Sequence, residues 1–320
     1  MRVEPNWLSE ALCHLDGSHL LREKREVELL VGGRCRIDSR NLLDFSSNNY
    51  LDLARDPGVL AAAAEAVEAG LGAGASPLVT GRSPHYRLLE ETLAEFEGTP
   101  AALLFPTGFA ANLGTVPALV CRDDTVFSDR DNHASLIDGC RLSRARIHVY
   151  ERNQLDDLDT ALASSPRQHR RLIVTDGVFS MEGELAPLAD LCELADAHEA
   201  MLLVDEAHAT GVLGDTGRGS CQWHGVEDRV TFRVGTLSKA IGSSGGFVAA
   251  SVNWIKYLWN TARTQIFSTA LSPASCAAAI EALRLIVAEP DRRQVLSQRG
   301  IQLRSHLTSL GVEGVLDGAD

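Results

Sequence analysis

The stretch FRVGTLSKAIGSSGGF, Phe232–Phe247, joins two strand-like segments through a loop that contains a lysine. An apolar, β-branched run ends near Thr236, a small polar cluster presents Lys239, and a glycine-rich turn leads into the next apolar run. Only three of the chain's 30 Lys and Arg residues are lysines, so a lysine at a strand end is unusual here. We expect this loop to belong to a functional site.

Further short apolar runs occur along the chain, and several of them end in polar residues. They are Thr125–Ser128, Ile147–Tyr150, Leu172–Thr175, Met201–Val204, Val230–Val234 and Phe247–Ala250. Helical periodicity lies between and after them, at Tyr86–Glu97, Phe109–Val120, Ala186–Ala200, Pro273–Ala288 and Asp291–Leu310. Strands that alternate with helices predict an α/β fold whose central sheet is mainly parallel and covered on both faces.

Composition excludes several classes of function. The 320-residue chain has a net charge of −13, which argues against nucleic acid or an anionic membrane as its main partner. It has no apolar run of the ~18–20 residues that a membrane span needs, and its N-terminus lacks a secretory core. Its seven cysteines form no CxxC pair. We therefore expect a cytoplasmic protein with reduced cysteines and no metal site.

The polar residues at the strand ends predict a ligand site, because ligands of open α/β sheets bind beyond the carboxyl ends of the strands. These positions hold Asp129, Asp176, Asp205 and Lys239. Gly108 precedes a predicted helix, whose free N–H groups are suited to a phosphate. A lysine, a carboxylate and a phosphate cradle together point to pyridoxal phosphate: the lysine binds its aldehyde and the carboxylate its ring nitrogen.

In this interpretation Asp205 pairs with the ring nitrogen, His208 reaches the ring hydroxyl, and His133 stacks on the ring. Each residue also has an ordinary structural interpretation. A strand-end aspartate is often a helix cap, and His133 in DNHASL suits an N-capping turn. The prediction of a pyridoxal-phosphate site therefore rests on all these residues together and not on any one of them.

These motifs resemble those of the α-oxoamine synthases, a family of fold-type-I pyridoxal-phosphate enzymes. The matching stretches run in family order from about residue 41 to residue 279: FSSNNYLDL, GAGASPLVTGRS, LLFPTGFAANLG, DRDNHASLIDGCRLSRA, VTDGVFSMEGELAPL, LLVDEAHATGVLGDTGRGS, GTLSKAIGSSGGF and FSTALSPASCAAA. The resemblance implies an aspartate-aminotransferase-like large domain at 46–272, preceded by an N-terminal arm at 1–45. Residues 273–320 would begin a small C-terminal domain that is truncated.

The resemblance also implies residue roles. Lys239, His133 and Asp205 would be catalytic. The residues expected to bind the cofactor are Gly108, Phe109, His133, Ser180, Asp205, His208, Thr236, Lys239, Ser268 and Thr269. Ser268 and Thr269 would reach the phosphate of a neighbouring subunit, so a homodimer is implied. Arg22, Asn48 and His133 would bind substrate.

The implied reaction is a decarboxylating condensation of L-alanine with a pimeloyl thioester, carried by coenzyme A or a carrier protein, in biotin biosynthesis. Two alternatives remain: a 2-amino-3-ketobutyrate CoA ligase, which uses glycine and acetyl-CoA, and a non-catalytic truncated paralogue. The letters VDEAH also copy a helicase motif, but the chain has no phosphate loop ending in GK[ST]. Glu206 is a departure, because the family usually has a second aspartate there.

Overall fold

A computed structural model describes residues 5–30 and 32–312 of the chain and divides the chain into two compact units, Met1–Ser47 and Asn48–Asp320. The N-terminal unit contains helix α1 (Asn6–Gly17) and an antiparallel sheet in the order β1-β2-β3. Its strands are β1 (Glu28–Leu30), β2 (Arg34–Ile37) and β3 (Arg40–Leu43). The sequence motifs had not indicated these strands.

The second unit is built on a seven-stranded sheet. Its strands are β4 (Ala101–Phe105), β5 (Thr125–Asp129), β6 (Arg146–Tyr150), β7 (Arg171–Asp176), β8 (Met201–Asp205), β9 (Phe232–Thr236) and β10 (Gly246–Ala250). They lie in the order β4-β10-β9-β8-β7-β5-β6. Strands β5 to β9 pair in parallel, whereas β10 is antiparallel to both of its neighbours.

Helices of the second unit alternate with the strands and then close the described chain. They are α2 (Pro57–Ala66), α3 (Pro84–Glu97), α4 (Gly108–Leu119), α5 (Ala134–Ser143), α6 (Leu155–Ser164), α7 (Leu188–Ala197), α8 (Ser220–Trp223), α9 (Val252–Thr261), α10 (Arg263–Ile266), α11 (Pro273–Ala288) and α12 (Asp291–Ser309). Helix α3 ends at Gly98, whose φ of 65° is the left-handed conformation that glycine adopts without strain.

Burial explains why the central strands have continuous apolar runs. Every residue of β5, β7, β9 and β10 is buried, as expected for strands with side chains packed on both faces. Separate apolar clusters flank the sheet, one of them formed with α4, α5 and α9 and another with α6 and α7. The sheet therefore holds the strand ends in a rigid, fully packed frame.

The predicted fold class is confirmed, since the sheet is mainly parallel and helices cover it. Each predicted strand and helix lies within a few residues of an observed one. The sequence patterns did not indicate β4 or the helices α2, α5, α6, α8, α9 and α10. The division at residue 272 stays a prediction, because the structural units separate only near residue 47. Residues 313–320 lie outside the described residues.

Candidate active site

The carboxyl ends of adjacent parallel strands bring two carboxylates together. Asp176 ends β7 and Asp205 ends β8, and the two residues are directly paired in the sheet register. They border a cavity of about 230 Å³ beyond these strand ends. The lining residues come from five chain segments: Thr107, Gly108, Phe109, His133, Ser135, Asp176, Asp205, Ala207, His208, Thr236, Ser238 and Lys239.

Lys239 lies in the loop between β9 and β10, which is closed by a hydrogen bond from the Leu237 N–H to the Gly245 carbonyl at 3.0 Å. Its Nζ lies 2.6 Å from Nε2 of His208. Burial lowers the pKa of Lys239, and the negative charges of Asp205 and Asp176 offset this in part. A lysine with a lowered pKa is more readily neutral, as an attacking amine must be.

His208 is held between Lys239 and Tyr50. Its Nδ1 lies 2.7 Å from the Tyr50 hydroxyl, which donates in turn to Oδ1 of Asn48 at 3.2 Å. Burial, followed by the neighbouring basic side chains of Lys239 and His133, lowers the pKa of His208 to about 4. His208 is therefore neutral at pH 7, and each ring nitrogen has a hydrogen-bond partner.

Asp205 is oriented by two donors. Its Oδ1 accepts from the Ala207 N–H at 2.9 Å, and its Oδ2 accepts from the side-chain amide of Asn112 at 2.5 Å. The same amide donates to the Ser135 hydroxyl at 2.9 Å, and that hydroxyl lies 2.7 Å from Nδ1 of His133. A buried polar network thus connects the strand-end carboxylate to the predicted ring-stacking histidine.

Asp176 is a second buried carboxylate in this cavity. Its Oδ2 accepts from the His133 N–H at 3.0 Å, whereas its buried Oδ1 has no hydrogen-bond partner among the described residues. Burial, followed by the negative charge of Asp205, raises the pKa of Asp176 to about 8. The Asp176 carboxyl is therefore harder to ionise than an exposed one.

The start of α4 forms a positively polarised edge of the cavity. Thr107 caps the helix by accepting from the Ala110 N–H at 3.0 Å, so the first N–H groups, those of Gly108 and Phe109, have no intrahelical acceptor. A side chain at position 108 would place its Cβ 3.0 Å from Cβ of Thr236. Glycine therefore keeps the space between helix start and strand end open for a ligand.

Five predicted site residues do not line the cavity in the described structure. Asn48 reaches it only indirectly, through Tyr50 and His208. Ser180 is exposed in a turn after β7. Ser268 and Thr269 follow α10, near a hydrogen bond from the Ala270 N–H to the Ala75 carbonyl at 3.0 Å. Arg22 is exposed in the N-terminal unit. Their roles stay predictions.

Some residues that the structure brings into the cavity or next to it had no predicted role: Tyr50, Thr107, Asn112, Ser135, Asp176, Ala207 and Ser238. Asp176 had the signal of a strand end, and Asn112 lies one helical turn after Gly108. Ser135 and Tyr50 gave no separate signal, because their partners come from distant parts of the chain.

The departure at Glu206 has a structural explanation. Its buried carboxylate accepts from the Ser220 N–H at 2.8 Å, the Ser220 hydroxyl at 2.7 Å and the Cys221 N–H at 2.8 Å. Glu206 thus binds the start of α8 and does not line the cavity. No cluster of potential metal ligands and no helix able to cross a membrane occurs within residues 5–30 and 32–312.

A family model described as aminotransferase class I and II matches residues 40–317. A curated protein from Symbiobacterium thermophilum, named 8-amino-7-oxononanoate synthase, is 45% identical over 96% of this chain and 79% of its own length. A Bacillus subtilis protein named 8-amino-7-oxononanoate synthase 2 is 44% identical over 97% of this chain and 79% of its own length.

Two solved structures show the same fold. A serine palmitoyltransferase from S. paucimobilis, with bound pyridoxal phosphate joined to myriocin, superposes with a TM-score of 0.90. It is 32% identical over 96% of this chain and 78% of its own. An 8-amino-7-oxononanoate synthase from Francisella tularensis gives a TM-score of 0.72 at 30% identity, over 83% of this chain and 75% of its own.

Proposed function

The chain belongs to the aminotransferase class I and II family, and we propose that it is a pyridoxal-phosphate-dependent acyltransferase of the 8-amino-7-oxononanoate synthase type. Its substrates in this proposal are L-alanine and a pimeloyl thioester. The serine palmitoyltransferase superposes better than the Francisella enzyme and is 32% identical, but the Symbiobacterium and Bacillus 8-amino-7-oxononanoate synthases are 45% and 44% identical. Identity is the better guide to substrate, because side chains select a substrate and one fold serves many.

The residues of the cavity fit pyridoxal phosphate. The free N–H groups of Gly108 and Phe109 suit its phosphate, and the gap between Gly108 and Thr236 would be filled by a Cβ. Asp205 offers a carboxylate already oriented by two donors, which suits the ring nitrogen. His133 would contact the ring face and His208 the ring hydroxyl. Lys239 supplies the amine that would bind the aldehyde.

Bound pyridoxal phosphate supplies an electron-accepting ring that takes up the electron pair left when a bond to the substrate Cα breaks. The chain's own part is proton management. Lys239 Nζ has a lowered pKa, so it is suited to take up the Cα proton of the amino acid and to return one later. His208 is hydrogen-bonded to Tyr50 and lies next to Nζ. Because His208 is neutral, it does not place a positive charge beside that amine.

The observation that carries the proposal is the position of Lys239 in the same cavity as a helix-start cradle and an oriented carboxylate. The test is thiol release from pimeloyl-CoA by the protein reconstituted with pyridoxal phosphate. Alanine, glycine and serine are compared as amino-acid donors, with pimeloyl-CoA, acetyl-CoA and palmitoyl-CoA as acyl donors. Alanine with pimeloyl-CoA should be preferred. A preference for glycine with acetyl-CoA would instead identify a 2-amino-3-ketobutyrate ligase.

Lys239→Ala is the control for this assay, since it removes the amine and should abolish both the visible absorbance of the bound cofactor and thiol release. A wild-type protein that binds the cofactor but releases no thiol with any pair would support the non-catalytic alternative. A protein that does not bind pyridoxal phosphate would refute the proposed function.

A homodimer is part of the proposal, with Ser268 and Thr269 contributing to the neighbouring subunit's phosphate site. Exposed apolar side chains next to this segment support it: Phe267, which precedes it, is 70% exposed, and Val79, in a segment that contacts α10, is 74% exposed. Exposed apolar residues grouped in this way are typical of protein interfaces. Light scattering after gel filtration measures the mass, and a monomer at micromolar concentration would contradict the shared site.

A further inference from the structure

The side chain of His133 is held by two groups of its own helix. His133 is the N-cap of α5, and its Nδ1 accepts from the Ser135 N–H at 3.3 Å. The Ser135 hydroxyl lies 2.7 Å from the same nitrogen. A neutral imidazole has one donor and one acceptor nitrogen, so the direction of these two bonds determines which nitrogen carries the hydrogen.

The Ser135 N–H determines the direction of the bond between the serine hydroxyl and His133, and Asn112 extends the network to Asp205. The side-chain NH₂ group of Asn112 donates to Asp205 Oδ2 at 2.5 Å. The second hydrogen of that NH₂ group points to Ser135 Oγ at 2.9 Å. A serine oxygen can accept twice, so this bond alone leaves the direction of its bond to His133 open. The Ser135 N–H only donates, and it bonds His133 Nδ1 at 3.3 Å, so Nδ1 is an acceptor and the hydroxyl donates to it as well. That nitrogen then accepts from both Ser135 groups, and the imidazole hydrogen must be on Nε2.

Because its members are buried, this hydrogen-bond network allows few alternative arrangements. Asn112 and Ser135 are each 1% exposed and Asp205 is 6% exposed, so water has little access to replace the partners. A buried polar group that loses its partner costs far more than an exposed one. Phe109 further limits the imidazole, since its ring lies edge-on to His133 at 6.3 Å between centroids. Among the described residues, Nε2 of His133 has no hydrogen-bond partner, and His133 lines the cavity.

We propose that Asn112 and Ser135 are positioning residues: Ser135 holds His133 as its Nε2–H tautomer, and Asn112 links Ser135 to Asp205. His133 then presents a hydrogen-bond donor to the cavity. The use of this donor in catalysis rests on the proposed function. In that reaction, the Nε2–H of His133 suits a carboxylate or carbonyl oxygen of a substrate. A donor nitrogen does not take up a proton, so His133 leaves the Cα proton to Lys239.

The test is NMR of the protein labelled with ¹⁵N histidine, with long-range ¹H–¹⁵N correlations that report which ring nitrogen carries the hydrogen. His133→Gln identifies the signals of His133. The wild-type protein, with and without pyridoxal phosphate, should show His133 as Nε2–H. An Nδ1–H signal in the wild-type protein would overturn the proposal without any variant.

Ser135→Ala removes the hydroxyl donor and should raise the share of the Nδ1–H tautomer roughly fivefold, the effect of one lost hydrogen bond. Ser143→Ala is the matched control, because Ser143 is a buried serine on the same helix whose hydroxyl bonds the Cys140 carbonyl at 2.7 Å. It should leave the His133 signals unchanged. Equal tautomer populations in the two alanine variants would also refute the role of Ser135.

Asn112→Ala separates the two ends of the network. It should keep the Nε2–H tautomer, since the Ser135 hydroxyl still donates to His133. It should weaken binding of pyridoxal phosphate several-fold, since Asp205 loses one of its two donors. Unchanged binding would show that Asn112 does not act on Asp205. The tautomer of His133 is also measured in the apoprotein. A chain that fails to bind the cofactor would therefore refute the proposed function, whereas the NMR signals of the apoprotein would still decide the tautomer.

Discussion

Replacing Gly246 with alanine should disable the start of α4 as a phosphate site without changing any side chain of the cavity. Gly246 begins β10 and pairs with Phe105 on one side and Thr236 on the other. A Cβ at this position would lie 2.5 Å from the Gly108 nitrogen and 2.5 Å from the carbonyl carbon and oxygen of Thr107. These are backbone atoms at the helix start, so no flexible side chain can move aside.

The size of the effect follows from these distances. Real Cβ atoms do not approach other atoms to less than 3.0 Å, so the helix start or the strand must move by at least about half an ångström. Overpacking of this kind typically costs about 1–3 kcal/mol of stability. A similar shift of the Gly108 and Phe109 N–H groups weakens charge-assisted bonds worth about 1.5–3 kcal/mol each, which corresponds to roughly 10- to 100-fold weaker cofactor binding.

The assay is titration of the apoprotein with pyridoxal phosphate, followed by visible absorbance, together with a thermal unfolding curve. Gly72→Ala is the matched control, because a Cβ at position 72 meets nothing within 4 Å and its backbone is not left-handed. We expect normal affinity for Gly72→Ala and at least tenfold weaker binding for Gly246→Ala. A folded Gly246→Ala variant that binds as tightly as the control would refute the assignment of the cradle.

Three further predictions concern single charges. Lys239→Ala should abolish the visible absorbance of bound cofactor and lower thiol release by at least about 10³-fold, because the attacking amine is lost; substantial remaining turnover would exclude Lys239 as the catalytic amine. Asp205→Asn should lower the turnover rate about 10²-fold or more and keep Lys239-dependent absorbance, since a positioned charge is lost; an unchanged rate would contradict its pairing with the ring. Burial raises the pKa of Glu97 to about 8. Between about pH 5 and 8 the folded chain therefore holds a proton that the unfolded chain has released. As the pH rises through this range, the free energy of unfolding falls by up to about 1.4 kcal/mol per pH unit. Urea unfolding should show a smaller slope in Glu97→Gln than in the wild type and in the exposed control Glu91→Gln, the remaining slope coming from Asp176, whose pKa is also raised. Parallel curves for all three would rule the effect out.

The central strands were predictable from sequence because burial on both faces requires continuous apolar runs. The same logic placed Asp205 and Lys239 at one edge of the sheet, since parallel strands share their carboxyl ends. Strand β4, with the sequence AALLF, gave no such signal, because alanine and leucine favour helices. It becomes a strand through its pairing with β10.

The hydrogen-bond network of the cavity was not predictable from local patterns. Asn112 meets Ser135 from 23 positions away and Asp205 from 93 positions away, so both bonds depend on how α4 packs against α5 and β8. Tyr50 meets His208 across 158 positions. The roles proposed for Ser268 and Thr269 would depend on a second subunit, which no pattern within one chain positions.

The antiparallel strand β10 also determines when the cavity can form during biosynthesis. Among the described strands, β4 pairs only with β10, whose first residue lies about 140 positions further along the chain, and closing so long a loop carries a large entropic cost. Until β10 has left the ribosome, β4 therefore has no strand to pair with, and the strand that leads into α4 is not fixed in the sheet. A ligand that binds only the completed sheet then stabilises the last stage of folding, so cofactor supply should govern how much of the newly made chain survives proteolysis.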